Sequence, residues 1–192
     1  MAAESTHDTA GQGVYLLFTP KNVTLEAANA LINQVKSLID EKVTTLNLLI
    51  SSPGGNVYAG LMAYNFLKGC PVHLTTHNIG ICDSISAVIY AAGIRRLSVP
   101  HGRFLMHGVM AGFTANSSLT ETQLEERLAT LRNDTDNIAG VIAGATGKQE
   151  SVLHEDMRKG VTLDPQEAIE YGLVHEIVES LYPAGARVIR IA

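Results

Sequence analysis

Residues 80–87, Gly-Ile-Cys-Asp-Ser-Ile-Ser-Ala, place Ser84 directly after a glycine-containing turn. An apolar helix is predicted beside it, over residues 83–93. A nucleophilic serine there would gain from the partial positive charge of the helix N-terminus, and neighbouring N–H groups could hold a developing oxyanion. The competing interpretation, which the local sequence alone favours, is that Asp83 or Ser84 simply caps the helix. A catalytic role for Ser84 therefore depends on finding a base.

A serine hydroxyl is inert until a base activates it, and the chain has seven histidines. His107 is the best placed, because it follows the apolar run Phe-Leu-Met where a predicted strand leads into a loop. The carboxyl ends of strands are where α/β sheets present reactive groups. His73 and His77 lie on one face of a predicted strand but about 13 Å apart, too far to share a metal ion. The Gly-x-Ser-x-Gly elbow of α/β-hydrolases is absent from the sequence.

A glycine pair ends the run Ser-Ser-Pro-Gly-Gly at residues 51–55, after an apolar strand. Consecutive glycines let main-chain N–H groups approach a ligand closely, although an isolated Pro-Gly-Gly more often forms an ordinary turn. The glycine patterns of dinucleotide-binding folds and of P-loops are absent from the sequence. We therefore expect no cofactor and no metal.

The composition is that of one folded domain. The 192 residues are 46% hydrophobic and 17% charged, and the net charge of -5 does not favour nucleic-acid binding. No apolar stretch reaches the length of a membrane span, so no membrane contact is expected. The first residues do not resemble a signal peptide, and Cys70 and Cys82 do not form a disulfide framework. These features indicate a cytoplasmic protein.

Short strands alternate with helices along the chain, which predicts an α/β fold with crossover connections. Residues 1–13 are interpreted as a mobile arm and residues 14–192 as a single domain. Strands are predicted over residues 14–18, 45–51 and 71–77 and around Pro100, and helices over 24–41, 57–69, 83–93, 118–144, 148–159 and 164–172.

Five ordered motifs resemble the ClpP family of serine peptidases, the proteolytic subunits of Clp proteases. They are SPGG at 52–55, GICDSIS at 80–86, RFLMHG at 103–108, ATG at 145–147 and EAIEYGL at 167–173. Family members carry SPGG after a buried strand, then a segment with the nucleophile, then a histidine after an apolar strand. The resemblance covers roughly residues 45–178.

The resemblance assigns roles to residues of this sequence. Ser84 looks like the nucleophile and His107 like the general base. Gly55 and Ile85 look like the two main-chain donors of an oxyanion hole. Ser86 takes the place of a small family residue and is expected to be packed.

The resemblance also implies a fold and partners. The fold is the ClpP/crotonase one, built of repeated β-β-α units with a protruding handle at about residues 109–144. The implied activity is cleavage of polypeptides inside a homo-oligomer of stacked rings. An AAA+ unfoldase is the implied partner, although the family's basic and aromatic N-terminal start is not visible before residue 14.

Four positions depart from the family pattern. The family's catalytic aspartate falls on Gly160, and Asp156, one helical turn earlier, is kept as a possible third acid. His107 is followed by Gly-Val instead of Gln-Pro, and Asp83 places a charge beside the proposed nucleophile. Replacing the acid of a serine protease triad can cost about 10⁴ in kcat.

Two alternatives to an active peptidase therefore remain open. One is a weak or inactive ClpP-fold subunit that acts as a scaffold or as a partner in a mixed ring. The other is a crotonase-type acyl-CoA enzyme, because that superfamily shares the fold and a two-donor oxyanion hole.

Overall fold

A computed structural model describes residues 13–112 and 118–191 of the chain. The expected arm at residues 1–13 lies outside the described residues apart from Gly13, as do residues 113–117 of the expected handle. In the two described ranges, no helix is long and apolar enough to cross a membrane.

One mixed sheet holds the eight strands found in the described residues, in the order β6-β5-β3-β2-β1-β8, with β4 paired to β3 and β7 paired to β4. The strands are β1 (Val14–Phe18), β2 (Thr45–Ser52), β3 (His73–Asp83), β4 (Arg95–Ser98), β5 (Arg103–Met106), β6 (Val161–Leu163), β7 (Glu176–Ile177) and β8 (Val188–Arg190). Every pairing is parallel except that of β5 with β6. The predicted α/β class is confirmed. The two- and three-residue strands β6, β7 and β8 were not predicted.

The helices of the described residues fall close to their predicted positions. They are α1 (Leu25–Asp40), α2 (Val57–Gly69), α3 (Ile85–Tyr90), α4 (Glu121–Thr146), α5 (Glu150–Lys159) and α6 (Pro165–Glu170). Apolar residues at helical spacing predict α1, and its buried side chains are Ala28, Leu31, Val35 and Leu38. The predicted N-cap of α1 is confirmed, because the Thr24 hydroxyl accepts a hydrogen bond from the N–H of Ala27 at 3.2 Å.

The predicted helix start at residue 83 is wrong. Strand β3 continues to Asp83, and α3 begins only at Ile85. The reason lies in the pairing: β3 has β2 on one side and, on the other, first β4 and then β5. The second partner extends the strand through the glycine-containing segment, where the sequence pattern alone indicated a turn.

This topology brings the candidate residues to one place. Strands β2, β3 and β5 are parallel, so their carboxyl ends meet at the same edge of the sheet. The glycine pair follows β2, Ser84 follows β3 and His107 follows β5.

Candidate active site

Ser84 stands between β3 and α3 in a strained backbone conformation. Its φ of 56° and ψ of −132° lie outside the regions that L-residues readily adopt. The Ser84 N–H donates to the carbonyl of Leu105 at 2.6 Å, and the Ser84 carbonyl accepts from the N–H of Ala87 at 3.0 Å. Such strain persists only where the surroundings enforce it, and it is typical of functional sites.

Neither Asp83 nor Ser84 caps α3. No side chain makes a capping hydrogen bond to this helix. The carboxylate of Asp83, with its side chain only 7% exposed, instead forms an ion pair with the guanidinium of Arg103, whose Nε also donates to it at 3.4 Å. The interpretation of Asp83 as a helix cap is therefore wrong, and a guanidinium balances the charge beside Ser84.

Gly54, the first glycine of the pair, packs directly against Ser84. A Cβ atom built on Gly54, whose φ is +95°, would lie 2.8 Å from the Ser84 Cβ and 3.3 Å from the Ile85 nitrogen. Only glycine fits at that distance and in that conformation. The turn that contains Gly54 therefore contacts the start of α3 next to the proposed nucleophile.

Gly55 pairs with Val23 in an isolated parallel bridge. The N–H of Val23 donates to the carbonyl of Gly54 at 2.7 Å, and the N–H of Asn56 donates to the carbonyl of Val23 at 2.8 Å. In this parallel bridge the two bonds to Val23 are made by Gly54 and Asn56, the residues on either side of Gly55. The N–H of the residue between them points away from the partner strand. The N–H of Gly55 therefore faces away from Val23.

Ser86 is fully buried, as expected for a packed residue, but its hydroxyl also joins two parts of the site. The Oγ lies 2.8 Å from the carbonyl of Ser52, at the end of β2, and 2.7 Å from the carbonyl of Asp83, at the end of β3. This bridge fixes the glycine turn relative to the strained serine. Sequence reasoning missed this role, and the adjacent small residues Ser86 and Ala87 were its only signal.

His107 and Ser84 line one cavity of about 260 Å³, enclosed largely by apolar side chains. Its apolar lining includes Val88, Met106, Ile138, Ile142, Leu153 and Met157. Within the described residues no hydrogen bond joins the Ser84 hydroxyl to the imidazole of His107. The Nδ1 atom of His107 lies 2.8 Å from the carbonyl oxygen of Gly108.

The two predicted acid positions differ in their surroundings. The carboxylate of Asp156 accepts a hydrogen bond from the Tyr171 hydroxyl at 2.6 Å. The pKa of Tyr171 is raised, first by burial and then by this bond. Gly160 ends α5 in the left-handed conformation, with φ of 75°, and a Cβ added there would meet no atom within 4 Å. In the described residues no ion pair or hydrogen bond joins Asp156 to His107.

Cys82 and His77 are two further buried residues of β3. Cys82 is fully buried, and burial raises the pKa of its thiol well above the ordinary value, so it is not a poised nucleophile. His77 is also buried, with its Nε2 3.1 Å from the carbonyl oxygen of Val178, and burial lowers its pKa.

Comparisons with known proteins identify relatives of this chain. A family model described as Clp protease matches residues 14–181. The ATP-dependent Clp protease proteolytic subunit 2 of Corynebacterium diphtheriae is 31% identical over 168 residues, which cover 86% of this chain and 82% of that protein. Subunit 2 of Chlamydia trachomatis is 32% identical over 165 residues, covering 83% of this chain and 78% of that protein. The proteolytic subunit of Deinococcus radiodurans is 28% identical over 167 residues, covering 85% and 80%.

Proposed function

This chain belongs to the Clp protease family, and we propose that it is a serine endopeptidase that cleaves unfolded proteins or peptides through Ser84 and His107. The observation that carries this proposal is the strained backbone of Ser84, at the mouth of an apolar cavity that His107 also lines. The names of the relatives support a Clp-type peptidase, and the serine mechanism is our own inference.

The proposed reaction is a two-step acyl transfer through Ser84 and His107. His107 takes the proton of the Ser84 hydroxyl while Oγ attacks the carbonyl carbon of the scissile bond. The carbonyl oxygen becomes an oxyanion that accepts hydrogen bonds from the N–H groups of Gly55 and Ile85, each donor being worth about 10²–10³ in rate. His107 then protonates the leaving amine. In the second step His107 takes a proton from water, the water attacks the acyl-enzyme, and His107 returns the proton to the Ser84 Oγ.

The cavity beside Ser84 would receive the side chain next to the scissile bond. Its walls are mostly apolar, and about 260 Å³ accommodates a side chain of leucine or phenylalanine size. We therefore propose that the enzyme prefers apolar residues at this subsite. An acidic or basic residue there would lose its hydration without gaining a partner.

The assembly and partners remain proposals. We propose stacked homo-oligomeric rings that enclose the sites, with an AAA+ unfoldase as a further partner and the cytoplasm as the compartment. The relatives are named as subunits of ATP-dependent Clp proteases, which supports ring formation and an ATP-driven partner. Size-exclusion chromatography with light scattering tests the ring, because a monomer at working concentration would contradict it.

A weak or inactive subunit is the second candidate, and Gly160 favours it. That position holds no side chain where the family has its acid, so the imidazolium formed in the reaction would lack a carboxylate. The comparisons match Clp proteases and do not favour the crotonase-type alternative.

Labelling with a fluorophosphonate probe separates the two candidates. The unchanged protein should form a covalent adduct mapped to Ser84 by mass spectrometry, and Ser84→Ala should abolish it. Ser37→Ala, at an exposed serine of α1, is the matched control and should label normally. Absence of labelling and of peptide hydrolysis at high probe and protein concentration would reject the peptidase and favour the scaffold.

A further inference from the structure

The imidazole of His107 has a neutral partner. Its Nδ1 lies 2.8 Å from the carbonyl oxygen of Gly108, the next residue in the chain. A carbonyl oxygen can only accept a hydrogen bond, so Nδ1 must carry the proton. The lone pair of the neutral ring then lies on Nε2.

The strand pairing shows what is missing opposite this ring. Strands β5 and β6 are antiparallel, with Met106 opposite Val161. One step further along the ladder, His107 comes opposite Gly160. There is room for a side chain at that position, since no atom of the described residues lies within 4 Å of its Cβ site.

The other candidate acid already has a hydrogen-bond partner. Asp156 lies in α5, four residues before Gly160, and its carboxylate holds the Tyr171 hydroxyl at 2.6 Å. Within residues 13–112 and 118–191, no ion pair includes His107. The Gly108 carbonyl is therefore the group that fixes the ring.

We propose that the main-chain carbonyl of Gly108 acts as the positioning group for His107 and takes the place of a carboxylate. It fixes the Nδ1–H tautomer and leaves Nε2 as the proton acceptor for the Ser84 hydroxyl. This inference rests on the proposed function of Ser84 and His107. Because the carbonyl is neutral, it orients the ring but stabilises the imidazolium less than a carboxylate would.

Long-range ¹H–¹⁵N correlation spectra of the ¹⁵N-labelled full chain test the tautomer directly. At a pH where the imidazole is neutral, His107 should show a protonated Nδ1 and an unprotonated Nε2. The signal is assigned by its loss in His107→Gln. A protonated Nε2, or the rapid tautomer mixture of free histidine, would overturn the proposal.

A matched variant and a second measurement separate this inference from the proposed function. Gly108→Ala keeps the carbonyl and has room for its methyl group, since the nearest atom to the Cβ site is the Met157 oxygen at 3.9 Å. Its Nδ1–H tautomer should be unchanged, because the added methyl group leaves the main-chain carbonyl in place. Loss of the Nδ1–H tautomer in this variant would count against the carbonyl. Labelling of Ser84 in the same samples reports on the proposed function independently, whichever tautomer is found.

Discussion

The two halves of the candidate site are supported very differently. On the serine side, residues 52–55 and 83–86 are tied together by a buried hydroxyl, a tightly packed glycine and main-chain hydrogen bonds that hold a strained conformation. On the histidine side, residues 103–108 and 156–161, His107 is half-buried and its ring bonds to one neighbouring carbonyl. The proposed nucleophile is held by several contacts, whereas the proposed base has no charged partner among the described residues. With glycine at position 160, we therefore expect a weaker base at His107 and an unaffected serine side.

The largest loss is expected from Gly54→Ala on the serine side. The methyl group would lie 2.8 Å from both the Ser84 Cβ and the Asp83 carbonyl oxygen, and φ of +95° is unfavourable for alanine. The displaced turn should move the Gly55 donor, and labelling of Ser84 should slow about 10²-fold or more. The rate is measured by quenching the labelling reaction at successive times and quantifying the adduct by mass spectrometry.

Gly69→Ala is the control for this substitution, because nothing lies within 4 Å of its Cβ site at the end of α2. It should label at the normal rate and unfold at the same or a higher temperature. A normal labelling rate in Gly54→Ala would show that the serine side is not rigid, and the contrast between the two halves would fail.

The next effect is a gain on the histidine side, in Gly160→Asp. The new carboxylate would lie opposite His107 and stabilise the imidazolium, so labelling and peptide hydrolysis should rise about tenfold, within the factor of about 10⁴ that the acid of a full triad can supply. Aspartate tolerates the left-handed conformation of this position.

Gly160→Asn separates charge from size in that experiment. Asparagine has nearly the same shape and tolerates the same conformation, but it adds no charge. Its rate should stay near that of the unchanged protein. Equal rates for all three proteins would mean that a charge opposite the imidazole is not what the histidine side lacks.

Much of this arrangement could be predicted from the sequence, and the failures have physical causes. Apolar spacing located α1, the helices α2 and α4 were predicted close to their observed positions, and the ordered motifs indicated Ser84 and His107. The extent of β3 could not be read from spacing, because its last three residues pair with β5, a strand distant in the sequence. The ion pair of Asp83 could not be predicted either, because its partner Arg103 lies on another strand and meets it only in the folded protein. The carbonyl beside His107 belongs to the main chain, so the residue types in the sequence do not indicate it.

Ser86→Ala tests the bridge on the serine side with a smaller effect. Removing the buried hydroxyl leaves the carbonyls of Ser52 and Asp83 without that donor, which should lower the free energy of unfolding by about 1–2 kcal/mol. Chemical denaturation monitored by circular dichroism measures the loss. The control Ser37→Ala, on the exposed face of α1, should change stability by less than about 0.5 kcal/mol. If the two variants were equally stable, the hydroxyl would not be a support of the site.

The smallest expected effect contrasts His107 with His77, a second imidazole that bonds to a main-chain carbonyl. Burial is the larger influence on His77 and lowers its pKa, while the hydrogen bond to Val178 opposes that shift. In the unfolded chain the pKa of this histidine is about 6.5, its ordinary value. Below that pH the unfolded chain therefore binds more protons than the folded chain. The free energy of unfolding falls as the pH is lowered, until the pH passes the lowered pKa of the folded state. The melting temperature should therefore drop between pH 7.5 and pH 5.5.

His77→Gln should reduce that drop, because its amide keeps a donor near the position of Nε2 but does not titrate. Part of the drop should persist, since burial also lowers the pKa of His175. An equal drop in both proteins would assign the acid sensitivity to groups other than His77. If instead the drop in melting temperature is smaller in His77→Gln while Ser84 labelling at pH 7.5 is unchanged, His77 and His107 have the different roles that we infer from the structure. His77 then acts on fold stability through its burial, whereas His107 lines the cavity beside Ser84.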